Sequence, residues 1–182
     1  MDSRAESYRR FLDGDDSGLK EIIDGCYDGL VLYLNTYVRD LSAAEELAED
    51  TFVKLATKKP GFSGRSSFKT WLYAVGRNIA LDYLRRRSKQ RTVPAESLSA
   101  EISGDAQIEQ DYLKEEQKIA LHRAMNSLKT EYRQVLWLAY FEDMSMSESA
   151  RVMGRTAVSA EHLLRRAKQA LRAQLEKEDI VL

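Results

Sequence analysis

Apolar residues recur at helical spacing along most of this chain, and nowhere do they alternate with polar residues for long enough to make a convincing strand. Both prolines, Pro60 and Pro94, fall between the periodic segments and interrupt none of them. These two observations predict an all-α protein. A helix starts near Ser17 and carries Leu19, Ile22, Ile23, Leu30, Leu34 and Tyr37 on one face, with Gly25 and Gly29 as weak points. The sequence Ser42-Ala-Ala-Glu45 matches a capping box and predicts a second helix running to about Thr57. Residues 58–67, KKPGFSGRSS, form a loop by their Pro and Gly content, and a third helix follows from about Phe68 to Arg87.

Residues 88–111 lack a sustained apolar stripe and contain Pro, Gly and several Ser, so a linker is expected there. The segments QIEQDYLKEEQKIALHRAMNSL and TEYRQVLWLAYFED beyond it are amphipathic helices. Ser145-Met-Ser-Glu148 is a second capping box, opening a short helix that stops at Gly154, and a last helix runs from about Ala157 to Leu175. The expected architecture is two small helical domains joined by a flexible linker: residues 1–91, an acidic linker 92–111, and residues 112–182.

The formal net charge of -1 conceals a segregation. Residues 1–64 hold 8 basic and 13 acidic side chains (net -5), whereas residues 65–91 hold 8 basic and one acidic (net +7). Residues 92–131 return to 4 and 8 (net -4), and residues 132–175 to 7 and 4 (net +3). Phosphate attraction is local, screened beyond roughly 8 Å at cellular salt, so two basic blocks imply two surfaces for a polyanion. No apolar run approaches the ~20 residues of a membrane span, and the polar N-terminus resembles no leader, which predicts a cytoplasmic protein. A single cysteine, Cys26, with His122 and His162 supplies neither a disulfide nor a metal site, and no cofactor motif is present.

Ala150, Gly154, Ala160 and Leu163 have the spacing of a helix-turn-helix. In its second helix Ala160, Leu164, Ala167 and Leu171 face inward, leaving Glu161, His162, Arg165, Arg166, Gln169 and Arg172 outside, a set able to meet base edges and phosphates in a major groove. A solvated helix in an ordinary bundle would give the same pattern. In FKTWLYAVGRNIALDYLRRR (68–87), Leu72, Val75, Ile79 and Tyr83 form an apolar stripe, and Trp71, Asn78, Asp82 and Arg85 share the neighbouring face. That face suits an unpaired base, with Trp71 as the stacking platform, or Trp71 is simply core. Asp13, Asp15, Ser17, Gly18 and Asp24 approach calcium-loop spacing, but Lys20 and Asp24 break the pattern, so an acid-rich helix start is the better reading. GFSGRSS lacks the spacing and lysine of a phosphate loop, and no nucleophile–base or paired-carboxylate arrangement stands out, so no catalytic residue is assigned.

Two segments together resemble a known family. AEELAEDTFVKLA (44–56) with FSGRSSFKTWLYAVGRNIALDYLRRR (62–87) resembles region two of bacterial RNA polymerase sigma factors, and YRQVLWLAYFEDMSMSESARVMGRTAVSAEHLLRRAKQAL (132–171) resembles region four, in the order seen in the two-domain extracytoplasmic-function group. The resemblance implies a non-enzymatic factor that binds polymerase core, through the clamp helices of its largest subunit and its flap, and promoter DNA, with an anti-sigma partner and no small-molecule substrate. It places Leu47, Glu49, Asp50 and Phe52 against the core, and Phe62, Ser63, Arg65 and Asn78 around a flipped base of the -10 element. Lys69, Trp71, Arg77, Asp82, Arg85 and Arg86 fall beside the melted strands, and Arg155, Ser159, Glu161, His162, Arg165, Arg166 and Gln169 on the -35 element. The acidic linker resembles the segment that threads the RNA channel.

The chain also departs from that family. Glu49 stands where many members have Gln, Glu161 and Leu163 where many have Lys and Arg, and Ala160 where Val or Ile is usual. Weaker -35 phosphate contact is the expected consequence. Two rivals remain from other classes: a free-standing helix-turn-helix regulator that binds operator DNA without polymerase, and a helical adaptor that binds only protein.

Overall fold

The computed structural model describes residues 2–90 and 120–177, all of whose regular elements are helices. The predicted linker 92–111 lies outside the described residues, as does the start of the helix predicted from residue 107. In chain order the helices are α1 (Ser3–Leu12), α2 (Ser17–Val38), α3 (Leu41–Lys58), α4 (Phe68–Gln90), α5 (residues 120–127), α6 (Thr130–Tyr140), α7 (Met146–Met153) and α8 (Ala157–Lys177). None of the described helices is long and apolar enough to cross a membrane.

Helix α2 is the axis of the first half, packing on α1, α3 and α4. Ile22, Leu30, Tyr33 and Leu34 on α2 are fully buried together with Leu55 on α3 and Leu72 on α4, each such aliphatic side chain contributing roughly 2 kcal/mol of apolar burial. Despite Gly25 and Gly29, α2 is continuous over 22 residues, because packing on three sides outweighs intrinsic propensity. Two starts differ from expectation. Helix α3 is capped by Asp40, whose carboxylate accepts the Ala43 amide at 3.2 Å, and not by Ser42. Helix α1, which periodicity did not reveal, is capped by Asp2 and buries Tyr8 and Phe11. The calcium-like spacing is also resolved: Asp15 accepts from the Ser17 amide and hydroxyl, and α2 is already helical at Ser17, so no binding loop forms there.

In the second half, α6, α7 and α8 pack on one another around Val135, Leu136, Leu138, Val152, Ala160, Leu163 and Ala167. The Ser145–Glu148 capping box forms as the sequence predicts, and Gly154 ends α7 with φ +64, a left-handed conformation that glycine adopts without a Cβ penalty.

The two halves dock, α6 against α2 and α7 against α4. Much of the seam is polar. Glu142, only 7% exposed at its side chain, pairs with Lys69 at 2.7 Å and accepts from Trp137 Nε1 at 3.0 Å. Glu148 accepts from the Ser67 and Thr70 hydroxyls at 2.9 and 3.2 Å. Arg133, 2% exposed, donates to the carbonyls of Thr36 at 2.9 Å and Leu128 at 2.8 Å. Among the described residues no carboxylate pairs with Arg133; it sits instead at the carbonyl-rich ends of α2 and α5, whose dipoles supply partial negative charge. Burial, with Arg39 nearby, pushes its guanidinium down to about 10.

Candidate nucleic-acid interface

Helix α4 buries Phe68, Leu72, Tyr73 and Ala80, with Val75, Ile79 and Tyr83 half-buried beside them. The inner stripe is therefore rotated by about one residue from the one periodicity suggested. Along the outer face Asn78, Asp82, Arg85 and Arg86 are exposed, Asp82 and Arg85 pairing at 3.2 Å one turn apart. Exposed ion pairs of this kind are weak, well under ~1 kcal/mol, so a phosphate can displace Asp82 at little cost.

Trp71 does not continue this face. Its ring lies 5.2 Å from Phe68, 5.5 Å from Tyr8 and 5.5 Å from Phe62, centroid to centroid, because α1 closes over the first turn of α4 and the preceding loop folds Phe62 inward. Trp71 is thus part of an aromatic cluster, and Phe62, edge-on to Phe68 at 5.4 Å, belongs to it as well. Both rings are half-buried in that cluster. Ser63 and Arg65 remain exposed on the loop, where Gly64 adopts φ +70.

Two other expected DNA contacts of this half face inward to the seam. Lys69 is held by Glu142, donating to both its carboxylate and its backbone carbonyl. The Arg77 guanidinium lies beside Gly154, within 3.5 Å of where a Cβ there would stand. Arg151 on α7 donates to the Arg65 carbonyl. In the docked form these groups serve the seam between halves.

On α3 the expected set splits. Glu49 and Asp50 are exposed, whereas Leu47 and Phe52 are 3% and 5% exposed and pack inward. The outward face comprises Glu45, Glu46, Glu49, Asp50 and Val53; the last, 57% exposed, is an apolar surface residue that the resemblance did not single out. The signal for it was present in the helical period, since Val53 lies four residues from Glu49 on the face opposite Ala44, Leu47, Ala48 and Leu55.

Helix α8 presents Glu161, His162, Arg165, Arg166, Lys168, Gln169 and Arg172 to solvent, with His162 Nδ1 3.0 Å from Arg165 Nη2. Ser159 is half-buried near its start, and Arg155 in the turn pairs with Glu131 at 2.5 Å. Leu164 and Leu171 are half-buried, while Leu163, 1% exposed, is core. Of the two departures at 161 and 163, only Glu161 is therefore a lost surface charge. No patch of acids, histidines or cysteines suited to a metal ion occurs among the described residues.

A helical domain with an exposed basic helix, followed by a second helical domain that presents a helix-turn-helix, is the architecture of a two-domain sigma factor. Residues 23–90 match the family model for Sigma-70 region 2, and residues 118–171 that for Sigma-70 region 4. The ECF RNA polymerase sigma factor SigC of Mycobacterium tuberculosis is 31% identical over 145 residues, 79% of this chain and 76% of the relative. The sigma factor YlaC of Bacillus subtilis is 29% identical over 152 residues, 83% and 88% of the two chains. The fold matches that of the sigma factor RpoE of Bartonella quintana, solved with the anti-sigma factor NepR, with a TM-score of 0.68 at 20% identity over 86% of this chain and 96% of that one. The chain belongs to the extracytoplasmic-function RNA polymerase sigma factors, proteins that direct polymerase core to promoters.

Proposed function

We propose that the chain divides its work as its charge is divided. The first unit, within 1–91, engages polymerase through the outward face of α3, with Glu46, Glu49, Asp50 and Val53 as contacts. Ser63 and Arg65 on the loop and Asn78, Asp82, Arg85 and Arg86 on α4 handle the -10 element. The second unit, within 112–182, reads the -35 element with His162, Arg165, Arg166 and Gln169. Arg155 and Ser159 flank that helix, and Glu161 selects against a phosphate or accepts from a cytosine amino group. Lys69 and Arg77 join the DNA-binding set only when the halves part. Residues 92–111 thread the polymerase's RNA channel. No chemistry of its own is required of such a factor: it supplies contacts, and polymerase makes the bonds. It acts in the cytoplasm, at the nucleoid when bound to polymerase, and an anti-sigma protein of the kind seen with the Bartonella relative restrains it at the membrane or in solution.

The observation that carries this reading is the pair of exposed basic helical faces, on α4 and α8, placed on different halves of one chain. Run-off transcription with purified core polymerase on genomic fragments tests it. The expected result is new start sites dependent on this protein, and co-purification with core. Absence of both would overturn it, and footprints made without polymerase would instead favour a free-standing regulator. In the same assay Asn78→Ala is expected to leave core binding intact and to slow promoter opening.

A further inference from the structure

Helix α1 lies N-terminal to the span matched by the family model, which begins at residue 23. It nevertheless touches both ends of the loop between α3 and α4. At the entry, the Tyr8 hydroxyl donates to the Pro60 carbonyl at 2.7 Å, and Lys59 Nζ stands 4.8 Å over the Phe11 ring. At the exit, the Asp2 carboxylate accepts the Phe68 amide, the first free donor of α4, at 2.5 Å. Between these points Tyr8 packs on Phe68 and Trp71, and Phe62 from the loop closes the same cluster.

The opposite side of α1 is fixed to α2. Gly18 makes this possible, since a Cβ there would stand 2.1 Å from the Ser7 carbonyl oxygen. The Ser7 hydroxyl donates to Glu21 at 2.6 Å, and Arg10 pairs with Asp15 and Glu21. A rigid helix thus bridges the α2 scaffold to a loop that contains Pro60, Gly61 and a left-handed Gly64. Such a loop has many alternative shapes, and pinning its ends selects among them before a ligand arrives.

We propose that α1 is a loop clamp, with Tyr8 and Asp2 as positioning residues that hold Ser63 and Arg65 in the geometry needed to receive an unpaired promoter base. This rests on the reading of that loop as the -10 reader. Neither residue touches DNA. Loss of one neutral hydrogen bond to the loop is expected to lower base selection roughly fivefold, without lowering affinity for polymerase.

The test uses holoenzyme assembled from core polymerase and this protein, with promoter fragments mapped by run-off and carrying a pre-melted -10 region. Each unpaired position is varied through the four bases, and discrimination is the ratio of affinities for the preferred and the other bases. Tyr8→Phe keeps the ring and deletes the donor; it is expected to lower that ratio roughly fivefold with core affinity unchanged and the melting temperature lowered by only about 2–4 °C, and Asp2→Ala to act in the same direction. If Tyr8→Phe does not fold, Asp2→Ala alone carries the test. An unchanged ratio in the folded variants, when Ser63→Ala/Arg65→Ala does lower it, overturns the clamp and leaves the loop as reader. An unchanged ratio in Ser63→Ala/Arg65→Ala overturns the reading of the loop, and the clamp with it.

Discussion

Leu47 and Glu49 stand two positions apart on α3 and do opposite things. The family motif groups them because it records positions along a sequence, whereas the helix sorts them at about 100° per residue onto different faces. Leu47 touches the core of this protein and Glu49 touches whatever lies outside. Leu47→Ala is expected to cost about 2–4 kcal/mol of stability, the usual loss for a large-to-small change in a packed interior, and any loss of polymerase binding should track unfolding. Glu49→Arg is expected to leave stability within about 0.5 kcal/mol while weakening polymerase binding. Thermal unfolding and core-binding affinity measured side by side distinguish the two, and a Leu47→Ala variant with an unchanged melting temperature would contradict its burial. At this scale the solvent-facing side of α8 was legible in the sequence, because His162, Arg165, Arg166 and Gln169 follow helical spacing and are exposed. The place of Trp71 was not, since an aromatic residue on a polar face has the same pattern whether a base or Tyr8 covers it.

Among the elements, α7 was legible from end to end. Ser145, Glu148 and Gly154 are local signals whose partners lie within one or two turns, so no tertiary knowledge is needed to read them. Gly154→Ala is expected to destabilise the protein by about 1 kcal/mol through its left-handed backbone, readable as a lower denaturant midpoint; the Arg77 guanidinium, at 3.5 Å from the added carbon, adds no clash. Helix α1 escaped detection for the converse reason. Its ten residues bury only Ser7, Tyr8 and Phe11, too few for a period to emerge, and its cap, Asp2, also serves an amide 66 positions away. The start of α3 was misplaced because Asp40 and Ser42 are both competent caps, and only the observed bond to the Ala43 amide decides between them.

For the whole molecule, the docking of the halves was invisible in the sequence. Hydrophobic periodicity finds cores, but Lys69, Glu142, Glu148, Ser67 and Thr70 are polar residues more than seventy positions apart across a linker. Stability should respond to acid at Glu148. Burial alone would raise the Glu148 carboxyl, but hydrogen bonds from Ser145, Ser67 and Thr70 outweigh it and hold the group below its ordinary value of 4.5. Ser145 belongs to the cap of α7 and only Ser67 and Thr70 lie across the seam, so the lowered value stabilises the folded protein above the ordinary range, and that contribution is lost as pH falls through the native value. The denaturant midpoint is expected to fall on acidification below about pH 4.5 and to change less in Glu148→Gln; equal titrations would exclude Glu148 as the sensitive group. The two oxygens of that glutamate are also divided in their work, Oε2 facing Ser145 and Oε1 facing Ser67 and Thr70. When the halves separate, water takes over from two hydroxyls at one oxygen while the other keeps the first turn of α7 closed. The cap that starts α7 is therefore made within α7 itself and does not depend on the seam.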